Sequence, residues 1–148
     1  MWITVEAFIA APIETVWRAF NDPDDILAWD ASDAWRTTRA ANDLRVGGRL
    51  ELRIEPRHGG AGADFGATYT DVQPMRIIAW RTDAARMVRV EFREAGAGVL
   101  VRQTFEAEPE PSVEEQRRDW QSVLDGFARH ARARAAHRPD PAAPSGGR

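Results

Sequence analysis

The stretch "AWDASDAW" (residues 28–35) sets side chains able to do chemistry between two large aromatics. Trp29 and Trp35 bracket Asp30, Ser32 and Asp33. Two carboxylates three residues apart on a helix can face one another as an acid–base pair. That chemistry needs one of them held protonated by burial, and nothing in the sequence buries either. The stretch therefore reads as a rim. Its aromatics stack on a flat ligand, Asp33 or Ser32 offers a hydrogen bond, and Asp30 faces water.

Other reactive types are scarce. There is no Cys, which excludes disulfides, thiol nucleophiles and thiolate metal sites. All twenty basic residues are Arg, so a Lys Schiff base is excluded. His58 lies in a Gly-rich turn, and His130 and His137 lie late in the last helix or in the tail. They do not converge as a metal site requires and read as exposed. Ser32, Ser112, Ser122 and Ser145 stand outside any G-x-S-x-G elbow. "VGGR" and "HGGAGAD" match neither a phosphate loop nor a dinucleotide fingerprint, so Gly47 and Gly48 read as a bend. No cofactor and no metal are expected. A net charge of −3 gives no reason to expect nucleic acid as a partner. No run approaches the length of a membrane span, and "MWITVEAFIA" lacks the form of a signal peptide. The expectation is a cytoplasmic protein with no membrane partner.

The positioning elements follow from periodicity. "WITVEAFIA" alternates as a strand, with Ile3, Val5, Ala7 and Ile9 on one side. "APIETVWRAF" is a helix with Pro12 at its first position, and Ile13, Val16, Trp17 and Phe20 share a face. "NDPDDILAW" restarts a short helix capped by Asp22. Residues 30–46 show no clean period. "RLELRIEP" alternates Leu50, Leu52 and Ile54 with charged residues, and "FGATYTDV", "MRIIAWRT", "RMVRVEFRE" and "VLVRQTFEAE" are further strands. On the last two, Val88, Val90 and Phe92, and Val99, Val101, Gln103 and Phe105, form a dry face; the opposite faces carry charge. "EPSVEEQRRDWQSVLDGFARHARARA" is the longest helix. Ser112 and Glu115 form its capping box, and Val113, Trp120, Leu124, Phe127 and Ala131 form its apolar stripe. The expected fold is α+β: a curved antiparallel sheet of six or seven strands wrapped around the long C-terminal helix, with two short helices after the first strand. Residues 1–137 make one domain, and 138–148, rich in Pro and Gly, read as a disordered tail.

This order, with "APIETVWRAFNDPDDILAW", "NDLRVGGRLELRIE", "GATYTDVQPMRIIAWR" and "QRRDWQSVLDGF", resembles the SRPBCC superfamily of START-like, birch-pollen-allergen-like helix-grip proteins. Within it the chain is similar to the branch named for homology to the activator of the Hsp90 ATPase, over roughly residues 3–131. The resemblance implies a cavity between sheet and long helix. Members use it for lipids, hormones or aromatic metabolites, and a few catalyse cyclisation or dehydration. The co-chaperone itself carries an extra amino-terminal domain, for which 148 residues leave no room.

A sheet curled round one helix leaves an interior that side chains fill or a pocket occupies. The expected pocket is lined by Trp17, Trp29, Asp33, Trp35, Leu52, Phe65, Tyr69, Trp80, Phe92, Gln103, Trp120 and Leu124. Tyr69 and Gln103 orient the ligand; Gln103 stands out because it interrupts an apolar row. The partner is a small apolar, aromatic or lipid-like ligand, with a homodimer left open. An enzyme of the cyclase, aromatase or dehydratase type is the alternative, with Asp33, Tyr69 and Asp71 as candidate acids or bases. A chaperone-cofactor-like interaction protein is the third. It would show an exposed apolar patch, which the charged outer strand faces argue against.

Overall fold

The computed structural model of the chain describes residues 1–137; the tail expected at 138–148 lies outside them. In chain order the elements are β1 (Trp2–Ile9), α1 (Ile13–Asn21), α2 (Pro23–Trp29), β2 (Trp35–Asn42), β3 (Arg49–Pro56), β4 (Ala63–Gln73), β5 (Ile77–Thr82), β6 (Met87–Ala95), β7 (Gly98–Glu106) and α3 (Val113–Ala136). The strands form one antiparallel sheet in the order β1-β7-β6-β5-β4-β3-β2. It curls as a half-barrel around α3, so the chain has the helix-grip architecture that its sequence predicts.

Alternation gives the sheet its two faces. On the concave side Ile3, Phe105, Val88 and Trp80 stand in register across β1, β7, β6 and β5, and Val5, Gln103, Val90 and Ile78 form the next row. All eight are buried. The convex side carries pairs such as Arg102–Glu6, at 2.6 Å, and Arg49–Asp83, at 2.8 Å. Exposed pairs of this kind contribute ~0–1 kcal/mol each, against ~1.5–3 kcal/mol for each large apolar side chain fully buried. The dry face therefore decides the fold.

Two expectations need correcting. Residues 30–46 lack a period because β2 contains a bulge between Thr37 and Arg39, and an extra residue inverts the alternation midway. Pro12 is the N-cap of α1 rather than its first helical residue.

The helices close one part of the concave face. Ser112 Oγ accepts from the Glu115 amide at 3.2 Å to start α3, and Asp22 Oδ1 accepts from the Asp24 amide at 2.9 Å to start α2. Leu124, Phe127, Ala128 and Ala131 of α3 are buried, and the helix packs chiefly against β1, α1 and α2. Its Gln121 Nε2 donates to the Glu6 carbonyl at 2.8 Å, on the outer edge of β1. The other sheet edge, β2, is met at its start by a bridge between Ala31 and Arg36 and by the Thr37 amide donating to the Asp30 carbonyl at 3.2 Å.

Candidate functional site

The concave face divides into a sealed part and a part left open. In the sealed part, rings from three helices and one strand meet edge to face. Trp17 lies 5.1 Å from Phe92, Phe20 lies 5.4 Å from Phe92 and 5.2 Å from Phe127, and Trp29 lies 4.9 Å from Phe127. Such geometry adds ~0.5–1.5 kcal/mol per pair beyond burial. Trp29 also donates its indole N–H to the Ala19 carbonyl at 2.8 Å. Of the expected pocket residues, Trp17, Trp29, Phe92 and Leu124 thus belong to the packed junction of α1, α2 and α3 with the sheet.

The open part lies on β2, β3 and β4. Ala40, Leu52 and Phe65 are in register across these strands, face inward, and remain only half-buried. They stand one same-face step past Thr82, the last residue of β5, which pairs with Ala67. Trp35, at the start of β2, is half-buried opposite Pro56. Trp120 is half-buried and stacks on Phe105 with centroids 3.9 Å apart. Trp80 and Tyr69 are buried between the two parts and meet edge to face at 6.3 Å. Asp33 is exposed and stands apart from this face. Two surface hollows, of about 640 Å³ and 480 Å³, open on the convex side around Arg102 and on the outward side of α3 around Arg118.

The polar candidates separate clearly. Tyr69 Oη donates to Asn42 Oδ1 at 2.6 Å, and burial pushes the phenol well above its usual range. Its hydroxyl is therefore committed. Asp71 is in register with Ala79 and Arg89, on the convex side, because a second bulge follows Tyr69. Gln103 is 6% exposed and its carboxamide has no hydrogen-bond partner among the described residues.

Three features differ from expectation. Asp30 does not simply face water. It is half-buried at the end of α2, accepts from Thr37 Oγ1 at 2.9 Å, and is pushed up to about 6 by burial, which the Thr37 bond offsets only in part. Since Asp33 is exposed, the two do not form an acid–base pair. His130 is not exposed either: its Nε2 lies 2.7 Å from Asp25 Oδ1, which also accepts from Arg134 Nε at 2.7 Å. Asp25 is 2% exposed, so this carboxylate ties α2 to α3 from a buried position. The i,i+4 spacing of His130 and Arg134 puts both on one side of α3, but it does not name their acceptor. Lastly, the convex side is not charged throughout, since Trp2 and Phe8 are exposed on β1. Among the described residues no cluster of His, Cys, Asp or Glu could hold a metal ion, and no helix is long and apolar enough to cross a membrane.

A curled seven-stranded sheet, two short helices and a gripping C-terminal helix over an apolar concave face define a helix-grip protein. The family model for activator of Hsp90 ATPase homolog 1-like proteins matches residues 10–132, and the chain belongs to that family. It is similar to the solution structure of an AHSA1-like protein from Aeromonas hydrophila, at 39% identity over 95% of this chain and 99% of that one, with a TM-score of 0.85. It is also similar to Chr148 from Cytophaga hutchinsonii, at 31% identity over 94% and 97% of the two chains and a TM-score of 0.78. The Aha1 dimer from Colwellia psychrerythraea shares the fold at 18% identity, over 86% and 93%, with a TM-score of 0.66. A search of curated proteins gave no match.

Proposed function

We propose that the protein binds a small, largely apolar molecule, aromatic or lipid-like, against the concave face between sheet and α3. The half-buried row Ala40–Leu52–Phe65 carries this reading. These are inward apolar side chains that the packing leaves only half-buried. Ligand sites are apolar surfaces of this kind with few polar groups. The ligand slides over the open row toward Trp80 and Gln103, with Trp35 and Trp120 as stacking surfaces. The same proposal places the protein in the cytoplasm.

The test is a thermal-shift and indole-NMR titration of the full chain with flavonoid, polyketide and fatty-acid probes. A probe at a hundred times its Kd stabilises the fold by ~2.7 kcal/mol. Leu52→Arg abolishes the shift while the unliganded melting point stays near wild type. If no probe moves either the melting point or an indole signal, the proposal fails.

One observation favours a second reading, an enzyme acting on the same ligand. Asp30 is a half-buried carboxyl raised to about 6, which suits a general acid near neutrality. A partner role is supported by exposed Trp2 and Phe8, and the Colwellia relative is a dimer. The partner we propose is a second copy of this chain.

A further inference from the structure

Two buried glutamines invite comparison. Gln116 of α3 is 5% exposed and fully occupied: its Oε1 accepts from the Glu108 amide at 2.8 Å, and its Nε2 donates to the Glu108 and Pro111 carbonyls at 2.9 and 2.8 Å. It is a brace for the segment leading into the helix. Gln103 is as deeply placed, yet its carboxamide bonds to nothing among the described residues. Among the buried residues of β1, β6 and β7 it is the only polar one. Such a group, if cut off from water and left unpaired, would cost about 1–3 kcal/mol, a cost that Val or Leu would not carry.

Its surroundings say what could pair with it. Val5 and Val90 flank it in register, and Val101 and Phe105 are its same-face neighbours along β7. All four are buried and uncharged. Trp120, stacked on Phe105, brings α3 across this point. Trp80 Nε1 is the one fully sealed side-chain polar atom without a partner among the described residues. The Gln103 carboxamide, equally partnerless, is therefore not fully sealed and keeps a small accessible surface on the inward side of β7. Asp30 bonds to Thr37 of β2, the strand at the other edge of the sheet, and not to Gln103.

Building on the ligand-binding reading, we infer that Gln103 anchors the polar end of the bound molecule. That end is an uncharged group with both a donor and an acceptor, such as a primary amide or a hydroxyl, on an apolar body. The carboxamide offers a donor and an acceptor side by side, so one such group satisfies both. A carboxylate is disfavoured, since Val5, Val90, Val101 and Phe105 offer it no charge and an unpaired anion would be buried at a cost of several kcal/mol.

The test uses one apolar frame with three substituents: 2-methylnaphthalene, 2-naphthamide and 2-naphthoate, titrated calorimetrically into the full chain at pH 8. The expected order is naphthamide about tenfold tighter than methylnaphthalene, with naphthoate weakest. Gln103→Leu brings amide and hydrocarbon to equal affinity while the hydrocarbon still binds. In the wild-type chain, naphthamide moves the Gln103 side-chain amide signal in 15N NMR and methylnaphthalene does not, a readout independent of how the variant folds. Equal binding of amide and hydrocarbon to the wild type, or tightest binding by naphthoate, overturns the anchor and leaves the receptor reading standing. Binding by none of the three removes both.

Discussion

Single side chains in this protein are sorted by whether their polar atoms are spoken for. Tyr69, Gln116 and Asp25 have partners; Gln103 has none among the described residues, and Asp30 is only partly compensated. Gln103 was legible from sequence because it breaks an apolar row at period two. Asp30 was not, because the residues around it carry no period and its burial comes from β2 folding back on α2. A pH dependence follows. With its folded carboxyl at about 6 against an ordinary 3.8, Asp30 binds its proton more tightly folded than unfolded. Its contribution to stability is therefore greatest below the unfolded value and declines as pH rises through that interval. Urea midpoints measured from pH 4 to pH 7 should show the wild type losing stability relative to Asp30→Asn over this range. Parallel profiles for the two proteins would mean the carboxyl is not perturbed.

At the scale of elements, strands and helices were legible wherever one alternation ran unbroken, as in β3, β6, β7 and α3. β2 escaped because its bulge splits an eight-residue strand into two short runs of opposite parity. The tie between α2 and α3 escaped because its acceptor and donors lie 105 and 109 residues apart. Asp24 and Asp25 both looked like dipole-favoured residues in a first turn, and only the fold distinguishes them: Asp24 is exposed and Asp25 buried. Asp25→Ala removes the shared acceptor of two charge-assisted bonds. We expect a loss of roughly 2–4 kcal/mol, since bonds to charged groups contribute about 1.5–3 kcal/mol each and the two share one oxygen. A chemical denaturation curve measures it. Asp24→Ala, by contrast, should shift the same midpoint only slightly.

For the molecule as a whole, the resemblance and the periodicity together fixed the grip, while the division of its concave face into sealed and open parts depends on where α3 lies. The stripe on α3 predicted that the helix would be buried, but not that it would pack chiefly against β1, α1 and α2 and leave the inward Ala40, Leu52 and Phe65 only half-buried. The outer surface holds the other unexpected feature. Trp2 and Phe8 are six residues apart on the same side of β1, about 20 Å at the strand rise. A twofold contact through this strand would set Trp2 of each copy against Phe8 of the other. Sedimentation equilibrium should then give twice the monomer mass, and Trp2→Ser with Phe8→Ser should return a monomer. A wild-type monomer at high micromolar concentration would contradict the proposed contact.

Gln121 and the Asp30–Ser32 segment have a further effect through where they sit. One end of the β-ladder has a helix side chain bonded to its outermost strand, and the other is met by local backbone and then bent by a bulge. Each border thus carries a feature that hinders an incoming chain from templating on it. Strand-by-strand extension meets an obstacle at both borders, whereas the convex surface with Trp2 and Phe8 stays open to contact between copies.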